Sequence, residues 1–195
     1  MGSQRPDKWL LFYKPMFADE DAARAFVEPL EALCTGDPRH PAKIMMHQTQ
    51  RLISLADDLP SIRRNNETLQ LLFILICAEH IAKLFKDFAG EGKSRAYVLN
   101  FFKWFLSADQ QQQLCDGITK HDHYPLSLRE AVGALYNVRC DVVHEGKYWG
   151  FHFRRGDDPI LNYEPDVIVS LTLAELRRLV VMGCITAIQS YPGAA

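Results

Sequence analysis

The sequence predicts a mainly α-helical protein, an antiparallel bundle with a small β-hairpin inserted before its last helix. Apolar residues recur at helical spacing over most of the chain, as Ile44, Met45, Leu52, Leu55, Ala56 and Leu59 do in one segment. Three capping boxes, Ser107-x-x-Gln110, Ser127-x-x-Glu130 and Thr172-x-x-Glu175, mark helix starts by satisfying exposed N–H groups reciprocally. Only between Tyr148 and Tyr163 does the apolar pattern shorten toward alternation, around the polar stretch Arg154 to Pro159.

Taken in order, Asp19 to Cys34 fits a short helix, acidic at its start and followed by Gly36-Asp37-Pro38, with Pro29 placed to kink or divide it. Pro41 to Leu59 forms the next helix and Pro60 stops it. A helix from Asn66 to Phe88, closed by Gly90, is apolar nearly all round between Leu69 and Ile81, which puts it at the centre of the bundle. Ala89 to Ser94 is a loop, Arg95 to Leu106 an aromatic-rich helix, and Ser107 opens a short polar helix reaching Cys115. Ser127 opens a helix from Leu128 to about His144. Tyr148 to Phe153 then pairs with Ile160 to Tyr163 as a hairpin with a long polar turn, and Val167 to Leu171 adds a strand. The last helix follows Thr172, with Leu173, Leu176, Val180, Gly183 and Ala187 on one face.

At 195 residues and 48% hydrophobic side chains the chain suffices for one full core. No repeat or long linker divides it; residues 1–40 read as an N-terminal extension packed on a helical domain of residues 41–195. A net charge of -2 supplies no global pull toward nucleic acid, so any RNA contact must come from a local patch. Five widely spaced cysteines without a CxxC suit neither a disulfide framework nor a zinc site, and point to a reducing cytoplasm. The apolar run Leu69 to Ala78 is too short for a membrane span, and no membrane association is expected.

The chemistry concentrates at the end of the helix that Ser127 opens, where Arg139 and His144 stand five positions apart. One is a permanent cation and the other exchanges a proton near neutral pH. On an ideal helix a five-residue step leaves the two Cα atoms roughly 140° apart and about 7.5 Å along the axis. Spacing alone therefore does not put them on one face, but the arginine stem can swing toward a histidine in a frayed last turn that Gly146 stops. Both heads then meet one phosphate. Asp141, three before His144, is placed to orient the imidazole, and Tyr136 shares a face with Cys140 and His144.

Downstream, Lys147, Arg154 and Arg155 are interleaved with Tyr148, Trp149, Phe151 and Phe153, the mixture of cations and rings that single-stranded RNA binding uses. The same rings equally suit packing of the hairpin on the bundle. His121-Asp122-His123 carries ligand-type side chains, but adjacent residues point apart and a solvated loop is expected rather than a metal site.

The run Leu135-Tyr136-x-x-Arg139-x-x-x-x-His144-Glu145-Gly146 resembles the signature of the HEPN superfamily, of the Apea-like or RNase-toxin type. Upstream, the helix holding Glu79 and Lys83 four apart is similar to the one that often precedes the motif helix in such proteins. The resemblance implies a metal-independent endoribonuclease with a stress, defence or toxin role, needing no cofactor. It implies a homodimer whose two motif helices form a composite site, with Arg139, His144 and Asp141 catalytic and Glu79 and Tyr136 in support. The implied products are a 2',3'-cyclic phosphate and a 5'-hydroxyl, and an antitoxin protein is an implied partner. Two departures stand out: Cys140 follows the arginine where family members commonly carry Asn, Asp or His, and Gly146 occupies the position where toxin members often carry a tyrosine. The alternative is a noncatalytic HEPN-like module that binds nucleotide or RNA, or dimerises. In that reading Arg139 and Asp141 belong to an ion-pair network and His144 caps the helix.

Overall fold

The computed structural model describes residues 8–33, 40–62, 66–86, 92–122 and 124–194. Their helices are α1 (Lys8–Tyr13), α2 (Glu20–Ala32), α3 (Pro41–Ile62), α4 (Glu67–Phe85), α5 (Ser94–Phe105), α6 (Ala108–Asp116), α7 (Leu128–Cys140) and α8 (Leu173–Gln189). A π-helical turn, Asp141–Glu145, prolongs α7. Strands β1 (Ile118–Lys120), β2 (Ile160–Tyr163) and β3 (Asp166–Val169) form an antiparallel sheet in the order β1-β3-β2. The fold is mainly helical with a small hairpin before the last helix, as the sequence predicts.

Helix α4 is the hub. It packs against α3, α5, α7 and α8, and Leu71, Ile74, Leu75, Cys77, Ala78, Ile81 and Ala82 along it are buried. By length and composition it could cross a membrane, and half of that stretch is buried within the bundle. The helix spans Glu67–Phe85; the expected closure at Phe88 and Gly90 lies outside the described residues, as do Cys34 and Gly36-Asp37-Pro38. The N-terminal helices join the same apolar cluster through Trp9, Tyr13, Phe26, Val27 and Leu30. Burial there is completed by a hydrogen bond, the Tyr13 hydroxyl donating to the Met46 carbonyl at 2.9 Å.

Two expectations are corrected. Helix α3 runs through Pro60 to Ile62. A proline cannot donate to the carbonyl four residues before it, and here that carbonyl, of Ala56, accepts instead from the Gln70 side-chain amide of α4 at 3.0 Å. The segment Tyr148 to Phe153 is not a strand; β2 pairs with β3 across Glu164-Pro165. Phe151 and Phe153 are buried in the core. The backbone of His152 bonds to the Asn162 side chain, its N–H donating to Oδ1 at 2.7 Å and its carbonyl accepting from Nδ2 at 3.0 Å. A side chain thus replaces the ladder that the alternation promised, and β1 takes the place beside β3.

Two consequences can be measured. A Cβ at Gly183 of α8 would lie 2.8 Å from both Leu106 Cδ1 and Phe101 Cζ, inside the core. Gly183→Ala therefore destabilises the fold by about 1–3 kcal/mol through overpacking, despite the helix preference of alanine, and the urea midpoint falls. His47 stacks on Trp9 with centroids 4.1 Å apart and has a buried, unpartnered Nε2. Burial, then the Lys43, Arg51 and Lys8 charges, lower its pKa to about 4. Below its ordinary value near 6.5 the unfolded chain takes up the proton and the folded chain does not. Stability falls accordingly as pH drops from about 6.5 toward 4. Denaturant unfolding of His47→Phe should show a flatter dependence over that window.

Candidate functional site

Helix α7 begins at a complete capping box, with Glu130 N–H donating to Ser127 Oγ at 3.3 Å and Ser127 N–H to Glu130 Oε2 at 2.9 Å. Its inner face buries Ala131, Val132, Leu135, Tyr136 and Val138. After Cys140 the hydrogen bonds lengthen to i→i+5, and the turn closes where Gly146, at φ 66°, donates to the Asp141 carbonyl. A π turn advances fewer degrees per residue than an α turn, so it narrows the angle between Arg139 and His144 from that of an ideal helix. Such turns are frequent at functional sites.

The two motif residues nonetheless face different surroundings. His144 is exposed, and its ring has no hydrogen bond or ion pair among the described residues. Arg139 is largely buried and turned inward. Its Nη2 lies 3.3 Å from Glu79 Oε2, its Nη1 donates to the Tyr136 hydroxyl at 3.3 Å, and its guanidinium sits 5.1 Å from that ring centroid. Its Nε is buried without a hydrogen-bond partner among the described residues. Glu79, 5% exposed, also accepts from Lys83 Nζ at 2.7 Å. Burial, the largest single influence, pushes the Glu79 carboxyl up, but hydrogen bonds from Lys83 and Ser94 with the Lys83 and Arg139 charges outweigh it and hold the carboxyl below its ordinary value. Burial raises the Tyr136 hydroxyl pKa, against the Arg139 charge.

The structure thus gathers Glu79, Tyr136 and Arg139, while Asp141 and His144 lie beyond that cluster on the π turn. No hydrogen bond joins Asp141 to His144 among the described residues. Asp141 instead borders two small cavities, one with Asn137, Cys140, Tyr163, Glu164 and Pro165, the other with Lys147 and Trp149. The cations expected to support RNA are all engaged. Lys147 pairs with Glu145 at 2.6 Å, Arg155 with Glu67 at 3.0 Å, and Arg154 with Glu175 at 3.5 Å. Among the described residues no group of three His, Cys, Asp or Glu is arranged for a metal; His123 lies outside them.

Cations missed in the sequence converge elsewhere. A groove of about 740 Å³ is lined by Arg95, Lys120, His121 and Arg129 together with Asp122, Glu130 and Asp166, and by Gly133, Asn137 and Pro165. None of Arg95, Lys120 and Arg129 makes an ion pair among the described residues. Arg95 crosses α7 at Gly133, where a Cβ would meet its Nη2 at 2.9 Å, and lies 5.9 Å from the Tyr136 ring centroid. A readable signal existed: Arg129, Gly133, Asn137 and Asp141 repeat every four residues and so form one row on α7 and its extension.

Comparison of the chain with family models, with curated proteins and with solved structures finds no match.

Proposed function

We propose that the protein is a metal-independent endoribonuclease of HEPN type, acting as a homodimer in a reducing cytoplasm, in a stress, defence or toxin setting where an antitoxin is a partner. The observation that carries the reading is an exposed His144, its ring without a hydrogen bond or ion pair among the described residues, on a π turn that directly prolongs the helix bearing Arg139. The chemistry needs a base for the 2'-hydroxyl proton, an acid for the leaving 5'-oxygen, and a cation for the phosphorane. As the 2'-oxygen bonds to phosphorus and the P–O5' bond breaks, one His144 takes the first proton and the His144 of a second copy gives the other. Arg139 supplies the positive charge once it leaves Glu79. The products are a 2',3'-cyclic phosphate and a 5'-hydroxyl.

A second reading has its own support. The Arg139–Glu79 pair and the thiol of Cys140 beside it suit a noncatalytic module that binds RNA or dimerises through the same helix. Incubation with mixed RNA in EDTA separates the two. Cleavage by wild type, lost in His144→Ala, supports the ribonuclease; binding without cleavage supports the module; equal cleavage by both proteins sinks the assignment of His144.

A further inference from the structure

We infer that the trough along α7 binds single-stranded RNA, with phosphates on Arg95, Lys120 and Arg129 and a base stacked on Tyr163. The inference rests on the ribonuclease reading only in naming the strand as RNA. The large groove and the smaller cavity beside Asp141, of about 340 Å³, adjoin at Asn137 and Pro165. Together they follow α7 from Arg129 to Asp141, about 18 Å along the axis, and end three residues before His144 in the chain.

The two ends differ in chemistry, as a nucleic-acid strand does. At the first end three cations from α5, β1 and α7 have no ion-pair partner among the described residues. Three carboxylates also line it. Glu130 accepts from the Ser127 N–H and hydroxyl through Oε2, and Asp122 accepts from the Tyr124 N–H through Oδ1; both keep their charge, and Lys120 acts on Glu130 through space. Asp166 is the third. Lys147, Arg154 and Arg155, by contrast, are each held in an ion pair, so the groove offers phosphate three cations that no ion pair holds.

At the second end Asp141 and Glu164 repel a phosphate but accept from the amino groups of a base, and the Asn137 amide can do either. Tyr163 is 81% exposed there, with its ring face open for stacking. Trp149, 66% exposed, stands on the other side of Asp141. A strand that alternates anionic phosphates with neutral, planar, amine-bearing bases satisfies both ends at once.

The test uses full-length protein carrying His144→Ala, so that RNA is bound and not cut, and a short fluorescein-labelled single-stranded RNA followed by anisotropy across a salt series. Adding Arg95→Ala, Lys120→Ala and Arg129→Ala together should weaken binding at least about tenfold and reduce the slope of log affinity against log salt by about two, at roughly 0.7 for each single-strand phosphate contact. Tyr163→Ala should weaken binding at least about fivefold, and Tyr163→Phe should restore it. Lys103→Ala with Arg178→Ala, exposed cations of α5 and α8 outside the trough, should stay within about twofold. Unchanged affinity and slope in the triple variant overturn the inference, as does failure of every form to bind RNA. A triple variant that binds RNA normally but changes its mass in solution assigns the trough to a second copy instead. Predicted binding by a protein that never cleaves RNA keeps this inference and ends the ribonuclease reading; cleavage with unaltered binding in the variants does the reverse.

Discussion

On the proposed ribonuclease reading, His144→Ala should lower RNA cleavage by at least about a hundredfold while the fold stands. Proton transfer by a positioned side chain contributes roughly 10²–10⁴ to a rate, and the chain brings no second histidine into the motif helix. Because His144 is exposed and unengaged among the described residues, its loss should move stability by no more than about 0.5 kcal/mol. Circular dichroism and a urea midpoint check the second half, single-turnover cleavage the first. Arg139→Ala is expected to differ: cleavage falls, and the midpoint moves as well, since Glu79 loses one of its two cations. A variant pair in which both residues behaved alike would assign His144 a structural role that its surroundings do not suggest.

Glu79→Ala destabilises the fold by about 3–5 kcal/mol, the usual cost of removing one partner from a buried ion pair. Glu79 is the shared anion of two cations, Lys83 at 2.7 Å and Arg139 at 3.3 Å, whose side chains are only 20% and 16% exposed. Without it both charges are left against the apolar surface of α4 and α7. Replacing Glu79 and Arg139 together by methionine should recover part of the loss, because the desolvation of both charges disappears with their attraction. The pH dependence has a definite sign. The folded carboxyl titrates below its unfolded value of 4.5, so its contribution is complete above that value and is lost as pH falls through the folded pKa. Chemical denaturation at stepped acidic pH should show a shallower loss in Glu79→Gln than in wild type.

The helices were legible because their starts are written locally. Ser107, Ser127 and Thr172 each form the complete capping box that their spacing to Gln110, Glu130 and Glu175 predicts. What was not legible depends on partners distant in the chain. The passage of α3 through Pro60 needs Gln70. The apolar alternation after Gly146 reflects Phe151 and Phe153 entering the core, with Asn162 bonding the backbone between them. Arg155 reads as a free cation until Glu67, 88 residues earlier, is seen beside it.

The candidate site divides the same way. Local pattern marks Arg139, Asp141, His144 and Tyr136, and the family resemblance marks Glu79, but the inward turn of Arg139 onto Glu79 is a tertiary fact. The π turn follows from the i→i+5 bond at Gly146, which no residue preference announces. Arg95, Lys120 and Arg129 come from three elements, so only the fold assembles them.

The most direct test is the identity of the RNA ends left by the purified protein in EDTA. The account predicts 2',3'-cyclic phosphate and 5'-hydroxyl ends with wild type and none with His144→Ala. Ends bearing a 3'-hydroxyl and a 5'-phosphate, or the same fragments from both proteins, would contradict it.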